Sequence, residues 1–174
     1  MKLATLTVIL LLLLVAGHAE AERIIVGVVK GVYDGDTVLM ATRESSRLKV
    51  RLYGIDAPET RKPDKPGQPY GELAKRALAS KIMGRQVAAE IVDIDRYHRS
   101  VAVIRHGGRD INQEMVSEGL AWAYRRYLRE PYESRYIDSE NRARTRHAGL
   151  WKDANPLPPW EFRNGHGNRN RHSR

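Results

Sequence analysis

Residues 51–60 bring a cation and two carboxylates close together in the sequence. Arg51 lies in a pattern typical of a strand, and Asp56 stands where that strand gives way to a proline-rich loop. Glu59 follows directly after Pro58, which restricts the loop. Hydrolysis of a phosphodiester needs a water, a base that takes its proton, and cations that stabilise the charge growing on phosphorus. The segment holds a residue type for each role, although a strand with an exposed arginine before a solvated acidic turn would look the same.

A second candidate segment is Asp34-Gly35-Asp36-Thr37. Two carboxylates that flank a glycine at a turn can face one point, and hard cations such as calcium prefer oxygen ligands of this kind. Taken alone, the segment is also compatible with an ordinary hairpin turn, because Asp-Gly is common there.

The third segment is Asp95-Arg96-Tyr97-His98-Arg99, between two apolar runs. Its last arginine can bind a phosphate from the side opposite Arg51, and its tyrosine can stack on a base or bond a phosphate oxygen. A charged hairpin turn without function is the alternative interpretation of this segment alone.

The elements that must position these segments are strands in the first half of the chain and helices in the second. Alternating and β-branched patterns predict strands over residues 24–32, 37–41, 48–55, 86–94 and 101–104. Helical spacing predicts helices over residues 72–83, over a short segment with Asn112 as its N-cap, and over residues 132–147. The segment 57–70 is rich in proline and is predicted to be a loop.

Five short strands, with one helix inserted after the third and further helices at the end, favour a small closed Greek-key barrel. We therefore predict a mainly β protein with α-helices, namely a five-stranded OB-fold barrel that carries about three helices. Barrels of this type often bind oligonucleotides on one face.

Composition limits the classes of protein that are possible. The chain has 174 residues, enough for one domain, and 30 Lys plus Arg against 21 Asp plus Glu give a net charge of +9. Such an excess favours a polyanionic partner such as nucleic acid. The sequence contains no cysteine, which excludes disulfides and thiolate zinc sites.

The two ends differ in composition from the middle of the chain. Lys2 precedes an apolar run over residues 4–16 and then small residues, which predicts a secretory signal peptide over residues 1–21. We expect a folded domain over residues 22–153 and a disordered, basic, proline-containing tail over residues 154–174. The protein is then exported, either secreted or periplasmic, and has no membrane association once the signal is cleaved.

Together, the three segments resemble the staphylococcal nuclease (thermonuclease) family, in the order in which that family has them. The similarity covers roughly residues 25–151. The matching pieces are Asp34-Gly35-Asp36-Thr37, Arg51-Leu52, Gly54-Ile55-Asp56-Ala57-Pro58-Glu59-Thr60, Asp95-Arg96-Tyr97 with Arg99, Gly119-Leu120-Ala121-Trp122 and Gly149-Leu150-Trp151.

The resemblance implies a calcium-dependent phosphodiesterase that cuts single- and double-stranded DNA and RNA and leaves 3′-phosphate ends. The sequence leaves the oligomeric state open, and a monomer is the default expectation. In this family's pattern, Asp36 and Asp56 align with the carboxylates that bind calcium, and Ala57 would give its backbone carbonyl to the ion. Asp34 looks like an acid close to that metal, behind its direct ligands.

The remaining roles come from the same resemblance. Glu59 aligns with the residue usually taken as the general base. Arg51 and Arg99 align with the pair that bind the phosphate and stabilise its transition state. Tyr97 and Tyr124 resemble the tyrosines that line the nucleotide pocket.

His98 departs from the family pattern, in which a glycine is expected between the tyrosine and the arginine. If that position has a positive φ, the histidine there is modestly strained. Two other functions remain open at this stage. One is an OB-fold module that binds nucleic acid without cutting it, and the other is an exported adaptor that uses only its basic surface.

Overall fold

The computed structural model describes residues 23–44 and 46–169, and within them the chain forms eight strands, four α-helices and one 3-10 helix. The predicted signal peptide over residues 1–21 lies outside the described residues, as does the end of the tail. The strands are β1 Arg23–Val32, β2 Thr37–Thr42, β3 Arg47–Leu52, β4 Ile55–Asp56, β5 Gln86–Ile94, β6 Ser100–His106, β7 Arg109–Asp110 and β8 Trp122–Ala123. The α-helices are α1 Gly71–Ile82, α2 Ile111–Ser117, α3 Tyr132–Thr145 and α4 Pro159–Arg169, and the 3-10 helix is Gly149–Lys152.

Five of the strands close into a barrel. β1 pairs antiparallel with both β2 and β5, β2 pairs with β3, and β5 pairs with β6. A parallel pairing of β3 with β6, in which Arg51 lies opposite Val101, completes the circle. The predicted five-stranded OB-type barrel is therefore confirmed, and β7 extends one of its edges.

The barrel interior and the inner faces of the helices form one apolar core. Helix α1 places Ala74, Leu78 and Ile82 on one buried face because these residues follow helical spacing. Trp122 and Trp151 pack edge to face, with 4.4 Å between ring centroids, and join β8 to the 3-10 helix. These contacts pack the helical part of the chain against the barrel.

The structure divides the strand that was predicted over residues 48–55 into β3 and β4. Gly54 separates them with a φ of 69°, a conformation that suits glycine. A Cβ at this position would overlap the side chain of Leu128. The break turns Asp56 out of the direction of β3 and into a separate pairing with β8.

The predicted N-cap of α2 is wrong by two residues. Asp110, not Asn112, caps the helix, and its carboxylate accepts from the backbone N–H of Gln113 at 2.9 Å. Asn112 is fully buried, and its amide bonds Ile104, Tyr53 and Ala102 of the barrel instead. An asparagine that bridges backbone groups in the core resembles a capping residue when only the local sequence is read.

The tail that was predicted to be disordered contains helix α4. The prediction rested on low apolar content and on the glycines of the segment, but Pro159 stands at the first helical position, where proline is favoured. Trp160 then packs its ring against Trp122 and Tyr124, a long-range contact that composition does not reveal. None of the helices in the described part of the chain has the length and apolar character needed to cross a membrane.

Candidate active site

The turn from β1 to β2 carries Asp34 and Asp36 against the neighbouring loop. Gly35 between them is buried, and a Cβ there would overlap the Cβ atoms of both Ala57 and Ala74. Only glycine therefore lets the turn approach this closely. The Asp34 carboxylate accepts from the backbone N–H of Asp36 at 3.1 Å, which fixes the turn.

Arg51 joins the two aspartates that the sequence placed in different segments. Its guanidinium forms an ion pair with Asp36 and, through the other terminal nitrogen, one of 2.9 Å with Asp56. The three side chains are largely buried. Low exposure makes these ion pairs stronger and less sensitive to salt than surface pairs.

Backbone pairing holds Asp56 and Ala57 in place. Asp56 lies opposite Trp122 in the β4–β8 ladder, and the N–H of Ala57 donates to the Asp36 carboxylate at 2.8 Å. Thr37 donates its hydroxyl to the other Asp36 oxygen at 3.0 Å. The Asp36 carboxylate is thus oriented from three sides.

Glu59 projects from the loop that follows β4, beside this cluster. Gln68 fixes the loop, because its side-chain oxygen accepts from the Glu59 N–H at 3.0 Å and its backbone N–H donates to the Glu59 carbonyl at 2.8 Å. The Glu59 carboxylate is about one-fifth exposed. Asp34, Asp36, Arg51, Asp56, Ala57 and Glu59 therefore come together as the sequence predicted.

Arg99 occupies the turn between β5 and β6 and is held by Asp95. The Asp95 carboxylate accepts from the Arg99 backbone N–H at 3.0 Å and from its Nε at 2.7 Å. Arg99 immediately precedes Ser100, which pairs with Val50 one position before Arg51. Arg99 therefore lies just before the strand that pairs with β3, which carries Arg51, and its side chain contacts Asp95 and the ring of Tyr97.

The two predicted tyrosines have different surroundings. Tyr97 is 64% exposed, and its hydroxyl accepts from Arg96 at 2.8 Å rather than contacting the carboxylates. Tyr124 follows β8 directly, and the charge of Asp56 contributes to a raised pKa of its hydroxyl, after burial as the main cause. Tyr124 therefore lies at the cluster, whereas Tyr97 is exposed and contacts Arg96 and Arg99.

Burial and neighbouring charges shift the pKa values of the three aspartates of the cluster in different directions. Burial and the charge of Asp36 raise the pKa of Asp34 to about 7. Burial also raises the pKa of Asp56, against the opposite effect of its arginine partners. For Asp36, the effect of burial is outweighed by Arg51 and by hydrogen bonds to the carboxylate, which hold its pKa below the usual range.

Two residues at this site were not predicted as members of it. Arg163 of helix α4 reaches Asp56 at 2.7 Å and Glu59 at 2.8 Å, and Trp160 stacks on Tyr124 with an interplanar angle of 4° and centroids 5.2 Å apart. Both residues belong to the basic tail over residues 154–174 that was predicted to be disordered. Pro159 at the first helical position and Glu161 in the first turn were local signals for a helix that could have drawn attention to them.

The donor set fits a hard cation. Asp36 and Asp56 contact one guanidinium from two sides, and Arg163 places a second guanidinium on Asp56 and Glu59, so the cluster already attracts positive charge. All the side-chain donors are oxygens, the ligands that calcium prefers. Across the described residues, no three His, Asp or Glu side chains form a metal cage by themselves, so a cation here would need backbone or water ligands as well.

Two histidines and a separate cleft lie apart from this cluster. Ring nitrogens of His106 and His147 face the carbonyls of Gln86 and Trp151, as expected for structural residues. A cleft of about 670 Å³ lies between Trp151 and the segment that leads to α4, and it contains none of the predicted site residues. The charged groups converge at the carboxylate cluster and not at this cleft, and Arg163 of α4 contacts the cluster through Asp56 and Glu59.

Comparison with known proteins agrees with this geometry. A family model described as staphylococcal nuclease homologue matches residues 49–153. The match includes Arg51, Asp56, Ala57, Glu59 and Arg99 and begins after the turn that carries Asp34 and Asp36.

Three relatives are similar to the chain over most of its length. An uncharacterized endonuclease of Haemophilus influenzae is 35% identical over 91% of this chain and 83% of its own. A micrococcal nuclease of Shigella flexneri is 36% identical over 79% of each chain. An uncharacterized endonuclease of Escherichia coli O157:H7 is 37% identical over 79% of this chain and 84% of its own.

Proposed function

Because the chain belongs to the family of staphylococcal nuclease homologues, we propose that it is an exported, calcium-dependent endonuclease that hydrolyses phosphodiester bonds in DNA and RNA. The observation that carries this proposal is the convergence of Asp36, Asp56 and Glu59 around Arg51 and next to Ala57. A module that only binds nucleic acid would need cations at this position, but it would not need three carboxylates beside them.

In the proposed reaction, Glu59 is the general base. Its carboxylate takes a proton from a water molecule as the water oxygen attacks phosphorus. The P–O bond to the 5′ oxygen breaks, that oxygen takes up a proton from solvent, and the phosphate stays on the 3′ side. Gln68 supports this role because it fixes the backbone on both sides of the Glu59 side chain.

Arg51 and Arg99 bind the scissile phosphate and stabilise the negative charge that grows on it. Such fixed donors act most strongly where water is excluded. Arg51 is oriented by Asp36 and Asp56, and Arg99 by Asp95, so both guanidinium groups are positioned before substrate arrives. Preorganisation of this kind avoids reorganisation during the reaction.

Asp36, Asp56 and the backbone carbonyl of Ala57 would hold the calcium ion, with Asp34 behind them. When bound, the ion supplies positive charge that neutralises the phosphate and favours attack on it. Calcium suits this role because it accepts oxygen ligands in flexible geometry and keeps water in its remaining positions.

The substrate chain lies along the face that carries Arg51, Arg99 and the two tyrosines. Tyr124 and Tyr97 provide surfaces on which bases stack without sequence preference. A site that binds backbone phosphates and stacked bases accepts both DNA and RNA. We further propose that the enzyme acts as a monomer, secreted or periplasmic after removal of residues 1–21.

The first prediction tests this proposal on the chain that begins at Glu22. With calcium, we expect cleavage of single- and double-stranded DNA, and we expect the chelator EGTA to abolish it. Glu59→Gln should lower the turnover rate by at least about 100-fold, because general bases typically contribute that much or more. Glu44→Gln is the matched control, since Glu44 is exposed in the β2–β3 turn, and it should leave turnover unchanged.

Initial rates on fluorescently labelled DNA, with circular dichroism to verify folding, provide the measurement. Cleavage by Glu59→Gln at the normal rate would contradict the role of Glu59. A folded protein that shifts DNA in a gel and never cuts it in calcium would favour the binding-module alternative.

A further inference from the structure

Helix α4 places two side chains on the site from one face. Trp160 and Arg163 are three residues apart, and this spacing puts them on the same side of a helix. The first stacks on Tyr124 and the second contacts Asp56 and Glu59. One turn of helix therefore covers both the aromatic and the carboxylate part of the site.

Arg163 occupies the carboxylate oxygens that the proposed chemistry requires. Its guanidinium lies 2.7 Å from one Asp56 oxygen and 3.2 Å from the other, and 2.8 Å from a Glu59 oxygen. Asp56 is fully buried, so the space around its carboxylate is limited. A calcium ion on Asp56 and this guanidinium would repel each other. Arg163 also donates to the Glu59 carboxylate, which is the group that would take the proton from water.

Trp160 covers the tyrosine on which a base would stack. Its ring is parallel to that of Tyr124 and also packs edge to face on Trp122, with centroids 5.5 Å apart. A nucleobase has a flat aromatic surface of the same kind. The helix thus presents an indole where the substrate would present a base and a guanidinium where calcium would bind.

The attachment of this segment links it to the catalytic loop and leaves it easy to release. Gln68 donates its side-chain N–H to the carbonyl of Leu157 at 3.0 Å and accepts from the Glu59 N–H. The helix itself contains Gly165 and Gly167, which disfavour helix formation by about 1 kcal/mol each. Arg163 is 41% exposed, so its ion pairs are partly screened by water.

We propose that residues 157–165 form an autoinhibitory strap, which covers the site in the absence of ligands and is displaced when calcium and nucleic acid bind. The proposal rests on the proposed function, because it assigns Asp56 to calcium and Glu59 to the base. Calcium binds only when the strap is displaced. A contact that stabilises the closed strap by a given factor therefore lowers the apparent calcium affinity by that factor, as long as the closed state predominates.

The second prediction uses calcium affinity of the chain from Glu22, measured by titration calorimetry without substrate. Arg163→Ala removes the ion pairs and should tighten calcium binding about fivefold, since a partly exposed ion pair contributes about 1 kcal/mol. Gly165→Ala should weaken calcium binding by a similar factor, because it stabilises the helix and a Cβ there meets no atom within 4 Å. Arg43→Ala, which removes an exposed arginine from the β2–β3 turn, is the matched control and should bind like the unchanged chain.

Hydrogen exchange gives an independent measurement of the strap. Calcium should accelerate amide exchange in residues 159–169 of the unchanged chain and should have a smaller effect on Arg163→Ala. Equal calcium affinity in all variants, with exchange of α4 unaffected by calcium, would overturn the strap while leaving the proposed function intact. Weaker calcium binding by Arg163→Ala would also overturn the strap, because Arg163 would then support the working site.

The absence of calcium binding in every variant, together with no cleavage, would instead contradict the proposed function. Activity assays further distinguish a failure of the strap proposal from a failure of the proposed function. If the strap inhibits, Arg163→Ala cleaves DNA faster than the unchanged chain at limiting calcium, and the difference disappears when calcium saturates the site. A higher KM for DNA at saturating calcium would show that Arg163 binds substrate and does not inhibit.

Discussion

His98 shows how one residue can preserve a backbone conformation at a cost in stability. It adopts a φ of 58° between Tyr97 and Arg99, and its N–H donates to the Asp95 carbonyl at 2.9 Å. The left-handed conformation costs an L-residue other than glycine roughly 1–2 kcal/mol. The family pattern has glycine at this position, and the observed positive φ is a conformation that suits glycine. Asp95 opposes the strain with its bonds to the backbone N–H groups of Tyr97 and Arg99.

The third prediction therefore concerns His98→Gly. We expect the free energy of unfolding to rise by up to about 1 kcal/mol, because removal of the left-handed strain exceeds the greater entropy of glycine in the unfolded chain. Urea unfolding followed by circular dichroism measures the change. His106→Gly, in a strand without positive φ, is the control and should be destabilising. A less stable His98→Gly would mean that the imidazole makes a stabilising contact that outweighs the strain.

At the scale of elements, the helical half of the molecule is joined through two facing glycines. Gly119 follows α2 with a φ of 67°, and Gly149 begins the 3-10 helix with a φ of 54°. The N–H of Leu150 donates to the Gly119 carbonyl at 2.8 Å. A Cβ on either glycine would overlap the backbone of the opposite segment. This close approach places Trp122 against Trp151 and so positions the strand β8 that pairs with Asp56.

The fourth prediction compares two glycines with the same backbone conformation. Gly119→Ala should lower the free energy of unfolding by more than about 3 kcal/mol, because the backbones must separate in addition to the φ strain. Gly84→Ala is the matched control: its φ is 71°, and a Cβ there meets nothing within 4 Å. It should cost about 1–2 kcal/mol. Equal losses, measured by urea unfolding, would show that the segments separate without cost.

The whole molecule is positively charged, whereas the candidate site is rich in carboxylates. The chain carries a net charge of +9, whereas the cluster around Arg51 contains Asp34, Asp36, Asp56 and Glu59. A positive surface attracts a polyanion from a distance, and the cluster favours a cation at close range. Long-range attraction therefore contributes to substrate binding, and the cluster contributes to chemistry.

The fifth prediction follows from this division. Between about 50 and about 200 mM salt, KM for single-stranded DNA should rise roughly tenfold or more, because several phosphates release counterions on binding. A dinucleotide with one phosphodiester is the control and should change about threefold or less. The turnover rate at saturating substrate should stay constant, since the groups around Arg51 are largely buried. A KM for DNA that is independent of salt would contradict a role for the overall charge.

The sequence by itself determined the barrel and most of the candidate site. Alternation and turn residues predicted its five strands, and strand β5 has the predicted bounds of 86–94. The spacing of residue types in the segment 51–60 predicted a cluster that the structure assembles around Arg51. These features are local, or they belong to a family pattern, and both can be read in order along the chain.

The tertiary structure alone decided what depends on distant contacts. Asn112 resembles a helix cap locally, but the buried carbonyl of Tyr53 and the N–H of Ile104 need its amide. Helix α4 has a weak sequence pattern, and Trp160 and Arg163 order it through contacts with Tyr124 and Asp56, which precede them by 36 and 107 residues. Propensity describes the cost of forming such a helix, whereas the energy that offsets this cost comes from residues that meet only in the folded chain.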